Sequence, residues 1–181
     1  MLILGAIALT SMLCEGAAAD WSAVYLRGSG HLPAALAGLG YATFALTMAG
    51  VRLTGAHLLA RHRAGRLLSL LALIAGVGMT AALASASGAL GLIGFACLGA
   101  GTALVVPTVF SAAGRVPGVP PGVAIATVSA LGWIGFVCGP PLIGQLASIT
   151  GLRAALAVIP TLALLVAVMI TRTPSLTVHE R

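Results

Sequence analysis

The stretch LILGAIALTSMLCEGAAADWSAVY, Leu2–Tyr25, decides how the chain is read. It is long and apolar enough to cross a bilayer, which takes about 20 helical residues. Yet it carries Glu15 at mid-depth and Asp20 further along, two of the three acidic residues in the protein; the third is Glu180. A carboxylate at the centre of a bilayer helix costs about 2.5–3.5 kcal/mol even on a lenient scale. Such a cost calls for a polar partner or a polar task, and the reading taken forward is that Glu15 borders a solute pathway.

Composition places the rest of the chain in lipid as well. Of 181 residues, 60% are hydrophobic and 7% charged, against roughly a quarter charged in soluble domains. Too few polar side chains remain to cover a globule, so lipid must solvate much of the surface. The basic residues are all arginine, and the net charge of +6 reads as the positive bias of cytoplasmic loops. A nucleic-acid partner is not expected, because aromatic residues on which bases could stack make up only 4%. Cys14, Cys97 and Cys138 lie in apolar runs without CxxC or CxxxH spacing and read as packing residues. His57 and His62 are not spaced with further ligands, so neither a metal nor a cofactor is expected. Ala17-Ala18-Ala19 resembles a signal-peptide cleavage site, but there is no basic n-region and Glu15 interrupts the apolar run. The first helix is therefore expected to be retained.

Apolar runs predict an all-α membrane protein of six transmembrane helices over residues 1–172, with a cytoplasmic tail at 173–181. The spans cover approximately Leu2–Tyr25, Ala34–Leu59, Leu67–Ala86, Ala89–Ala113, Gly122–Ala147 and Arg153–Thr171. Gly28-Ser29-Gly30 ends the first, Pro33 suits the first turn of the second, and Ser85-Ala86-Ser87-Gly88 is a tight return. Pro117, Pro120 and Pro121 make the stretch from Gly114 to Gly122 a loop. With alternating crossings, Arg61, Arg63, Arg66, Arg115, Arg172 and Arg181 share the side of both termini, and Arg27 and Arg153 lie opposite. That asymmetry predicts cytoplasmic termini.

A weak internal repeat is present. Gly50-Val51-Arg52-Leu53-Thr54-Gly55 and Gly139-Pro140-Pro141-Leu142-Ile143-Gly144 both read G-x-x-L-x-G, late in the second and fifth spans. If the first three spans correspond to the last three, the odd number of crossings turns the copies over, giving a 3+3 inverted repeat.

The residues that could carry chemistry follow from helical spacing. Ser11, Glu15 and Ser22 share one stripe of the first helix, with small residues around them, and a buried carboxyl can load and release a proton. Structural pairing of Glu15 with an arginine of a neighbouring helix is the other reading. Asp20 lies about 7.5 Å further along, on the face of Arg27, so an ion pair and a ligand role both stand open. Trp21 and Tyr25 suit interfacial anchors, with substrate stacking as a second role for Trp21. Arg52 can snorkel or pair inside the bundle; with Arg61, Arg63 and Arg66 it rings the inner mouth, as a gate or an anionic-lipid contact. Pro107 frees a carbonyl and bends the fourth span, where hydroxyls such as Thr108 and Ser111 can satisfy the backbone. Gly132, Gly135 and Gly139, followed by Pro140-Pro141, suit close helix packing or a hinge, and Pro160 suits a bend in the sixth span. No HExxH, GxSxG, Walker or CxxC motif is present, so an enzyme is not expected. Nor is a channel suggested by any charge ring or TVGYG filter.

Three stretches carry a family resemblance. Glu15-Gly16-Ala17-Ala18-Ala19-Asp20-Trp21-Ser22-Ala23-Val24-Tyr25-Leu26 resembles the seventh helix of a bacterial subgroup of the major facilitator superfamily (MFS). Arg52-Leu53-Thr54-Gly55 through Leu58-Leu59-Ala60-Arg61 resembles the cytoplasmic loop signature after an even helix, with Ala56 where that signature has Asp. Gly135 to Gly144 is similar to the Gly-Pro helix motif. The resemblance implies the C-terminal six-helix half of a twelve-helix secondary transporter in the cell inner membrane. It implies a small-molecule solute, with H+ coupling as a further possibility, held at a midplane site against a missing N-terminal half or a second copy. Substrate or proton contact then falls to Glu15, Trp21, Ser11, Ser22 and Asp20. The gate loop would comprise Arg52, Gly55 and Arg61, and packing or hinge motion would fall to Pro107, Gly135, Gly139 and Pro140. A non-transporting scaffold or truncated remnant is the alternative, and a channel a weaker one.

Overall fold

The computed structural model describes residues 1–85 and 87–173; Ala86, the tail from 174 and Arg181 lie outside the described residues. Six helices are long and apolar enough to span a membrane: Leu2–Gly28, Ala34–Arg61, Ala64–Ser85, Gly88–Ala113, Pro121–Thr150 and Leu152–Thr171. Among the described residues there is no strand. Each span lies where the apolar runs placed it, with ends displaced by a few residues. Pro121 starts the fifth helix, where a missing N–H leaves no bond unmade. The proline-rich segment before it is turn and loop, with Gly118 at φ +77°.

Three spans are broken. The second is interrupted at Gly38, the fourth between Thr102 and Val105, and the sixth between Ala155 and Val158. In the last two a proline follows within a turn, Pro107 and Pro160, and each removes a donor to the carbonyl four residues earlier. Pro140 and Pro141, by contrast, lie inside one continuous helix.

The packing has a simple pattern. The first span packs on the fifth and the fourth on the second; the third packs on the fourth and the sixth on the first; and the third meets the sixth as the first meets the fourth. Exchanging the first three spans with the last three leaves this set of neighbours unchanged, as a 3+3 inverted repeat requires. Matching backbone contacts fix the register. A methyl at Gly16 would lie 2.2 Å from the carbonyl oxygen of Phe136, and one at Gly99 would lie 2.1 Å from that of Phe44. Gly16 thus corresponds to Gly99 and Phe44 to Phe136, whereas the G-x-x-L-x-G match would pair Phe44 with Trp133. The sequence repeat is one turn out of the structural register.

The first span is central, with 67% of its apolar window buried, against 22% in the second and 28% in the fifth. Its contact with the fifth is backbone to backbone. Methyls at Gly135 and Gly139 would lie 2.1 and 2.7 Å from the carbonyl oxygens of Leu9 and Leu13, so small residues permit the approach as expected. Tyr25 departs from expectation. It is fully buried, donates its hydroxyl to Ala82 O at 2.9 Å, and meets Phe95 edge-on at 6.2 Å between centroids. The helix runs past it to Gly28 between its neighbours, which makes it a packing residue rather than an interfacial anchor. Arg153, though exposed, reaches across to the third span: Nε and Nη2 donate to the carbonyls of Leu83 and Ala84 at its end, where a cation suits the helix dipole.

Candidate functional site

Glu15 borders a hollow of about 330 Å³ between the first, second and fifth spans, with Tyr41, Phe44, Met48, Arg52 and Phe136 in its walls. One carboxylate oxygen, Oε1, is buried with no hydrogen-bond partner. Its neighbours in sequence explain its position. Gly16 locks the first helix onto the Phe136 carbonyl, and Pro140, four residues beyond Phe136, cannot supply that carbonyl's helical donor.

Arg52 occupies the far side of the hollow, close enough for its charge to act on Glu15. It makes no direct contact there. Its Nε donates instead to Ala103 O at 3.1 Å, the carbonyl that Pro107 deprives of an N–H donor. Sequence reasoning assigned that task to hydroxyls, and the structure corrects it: Thr108 Oγ1 is buried without a partner. Gly55, one turn beyond Arg52, admits Leu104 at the same break, since a methyl there would lie 2.6 Å from Leu104 Cδ2. Arg52 and Gly55, two of the three residues expected to form a gate loop, therefore meet at the break of the fourth span. Arg61 does not join them; it is exposed in the last turn of its helix.

Asp20 and Trp21 line a separate hollow of about 610 Å³ beside Phe136, Pro140 and Pro141. Trp21 Nε1 donates to Pro140 O at 3.0 Å, and its ring leaves Gly144 no room for a side chain, since a methyl there would lie 3.0 Å from Cζ2. Arg27 borders a third hollow with its own neighbours Val24 and Gly28, so the structure does not bring Asp20 and Arg27 into one site. Ser11 and Ser22 are buried, and the oxygen of each lacks a hydrogen-bond partner. Neither lines the Glu15 hollow. Ser22 packs under Gly40.

The aromatic walls went unread in the sequence. Tyr41 stacks on Phe44 at 5.8 Å, and Trp133 meets Phe136 edge-on at 5.5 Å. Each pair is spaced i, i+3, and the two occupy corresponding positions in the two triplets of helices. That repeated spacing in a chain with 4% aromatics was the available signal. Among the described residues no three His, Cys, Asp or Glu cluster as metal ligands would.

Known proteins are similar to the chain along most of its length. It is 36% identical over 92% of its length to the membrane protein MosC of Rhizobium meliloti. It is 34% identical over 92% to an uncharacterized MFS-type transporter of Yersinia pestis, and 34% over 93% to the uncharacterized transporter y4wD of Sinorhizobium fredii. The chain spans 41%, 44% and 45% of the lengths of these relatives. No family model matches it, and no solved structure does.

Proposed function

We propose that the chain is the C-terminal six-helix half of an MFS-type secondary transporter, moving a small solute by alternating access. The observation that carries this reading is the match over 92% of the chain to relatives named as transporters. The Glu15 hollow adds a place for the solute: an unpartnered carboxylate in an aromatic-walled space that opens on the least covered helices, the second and fifth. Glu15 carries the coupling proton, and the termini face the cytoplasm of the inner membrane. The other wall comes from a second six-helix half, for which the unmatched length of the relatives leaves room, or from a second copy.

Proteoliposomes test this. The chain is reconstituted alone and with an N-terminal six-helix half from one of the relatives, with pyranine inside to report pH, and challenged with a panel of amino acids, sugars and amines. Solute-driven proton flux that needs both halves, and that Glu15→Gln abolishes, is expected. Conductance by the chain alone would point to a channel, and halves that neither copurify nor transport would point to a scaffold.

A further inference from the structure

We propose that the hollow between Glu15 and Arg52 binds a small zwitterionic solute, its amine at Glu15 and its anionic group at Arg52. This deepens the transporter reading, and rests on it, by naming the class of solute that this wall of the site takes.

The first ground is the unmatched charge. Glu15 Oε1 is buried without a donor, a costly state for an acceptor. The obvious donor in the hollow is Arg52, and its Nε is turned to the Ala103 carbonyl instead.

The second ground is that the segments bearing both charges are anchored by contacts of their own. Arg52 is anchored through Nε on the Ala103 carbonyl, which Pro107 has left with no helical donor, and its remaining N–H groups suit an anionic partner. The helix that carries Glu15 is in turn seated closely on the fifth span, since a methyl at Gly16 would lie 2.2 Å from the Phe136 oxygen. Opposite charges that line one hollow of about 330 Å³, with Glu15 Oε1 left without a donor, complement a ligand that carries the two charges in reverse order. A bare cation would leave Arg52 opposing it, and a bare anion would meet Glu15.

The third ground is the walls. Tyr41, Phe44 and Phe136 line the hollow with aromatic rings, a surface that suits an ammonium group, and Met48 adds adaptable apolar surface. The volume is at the small end of the ligand-pocket range of about 300–1,000 Å³, which suits a solute the size of an amino acid.

The experiment uses the full chain in nanodiscs, with thermal stability read by tryptophan fluorescence. It is titrated with glycine, β-alanine, γ-aminobutyrate and ε-aminocaproate, and with propylamine, butylamine, propionate and butyrate as single-charge controls. Zwitterions are expected to stabilise it, one length best, with the controls about tenfold weaker or more. Glu15→Gln and Arg52→Gln are each expected to weaken zwitterion binding by about 10- to 100-fold. They are also expected to invert preference, towards butyrate in the first and butylamine in the second, which a folding defect would not do. Arg52→Lys keeps the charge and should keep the zwitterion preference. Equal binding of amines and zwitterions overturns the proposal in favour of a cation site, and silence from all eight compounds overturns it outright. Binding in nanodiscs needs no translocation, so absent flux with a second half present would sink the transporter reading and leave this result standing.

Discussion

Arg52 donates from Nε to the carbonyl oxygen of Ala103 at 3.1 Å, and Ala103 is the residue whose carbonyl Pro107 leaves without a helical donor. A side chain of the second span thus completes the backbone of the fourth. The same arginine faces Glu15 across the hollow, so the break and the site share one residue.

That sharing predicts a coupling. Arg52→Leu should cost about 1.5–3 kcal/mol, the range for a hydrogen bond from a charged donor. In a Pro107→Ala background the helix supplies its own N–H to Ala103, and the same substitution should cost clearly less. A double-mutant cycle on detergent-solubilised protein reads the difference; additive effects would break the assignment.

The close contact of the first and fifth spans predicts sharp steric limits. Gly16→Ala and Gly135→Ala each place a methyl against a backbone carbonyl, at 2.2 and 2.1 Å, and should destabilise by about 1–3 kcal/mol. Gly50→Ala, with nothing within 4 Å, should be neutral or slightly stabilising. Thermal melts of the three variants check this, and a Gly50→Ala loss equal to the others would remove the steric explanation.

Trp21 offers a test of bracing against ligand contact. Trp21→Phe keeps a ring but loses the donor to Pro140 O, and should lower stability by about 1 kcal/mol. If Trp21 only braces, solute affinity measured in nanodiscs stays within about twofold of the parent. A tenfold drop would make it a contact residue.

The proposed sharing of Glu15 between proton and amine predicts an ion-exchange signature. An amine takes the carboxylate only in its ionised form, so solute binding should expel a proton from protein that holds one. Adding γ-aminobutyrate to weakly buffered, solubilised protein should acidify the medium, with no signal from Glu15→Gln. Alkalinisation instead would mean that proton and solute bind together.

The six spans were legible because length and apolarity alone define a membrane helix, and Gly and Pro punctuate the loops. The carboxylate was legible too, since a buried charge in an apolar run stands out. Its surroundings were not. Which arginine faces Glu15 depends on how the first and second spans cross, and no local spacing encodes that crossing. The carbonyl freed by Pro107 follows from the i−4 rule, but the reach of Arg52 to it is tertiary, so hydroxyls nearby in sequence drew the assignment. Tyr25 misled for a related reason. Position near the end of a span suggests an interface only when no neighbouring helix extends as far, and here the end of the third span covers it. The repeat was found one turn out of register because G-x-x-L-x-G reports shared composition, whereas the structural equivalence is set by Gly16 and Gly99 touching carbonyls.

That equivalence separates the labour of the two triplets. Carried through it, Glu15 corresponds to Leu98, which is fully buried, and Arg52 corresponds to Gly144, which is covered by Trp21. Both charges of the site therefore belong to the first triplet, and the second contributes shape without sign. On the proposed reading, altering which solute is taken becomes a matter of editing charge at residues 15 and 52, while residues 88–171 supply the mould around them.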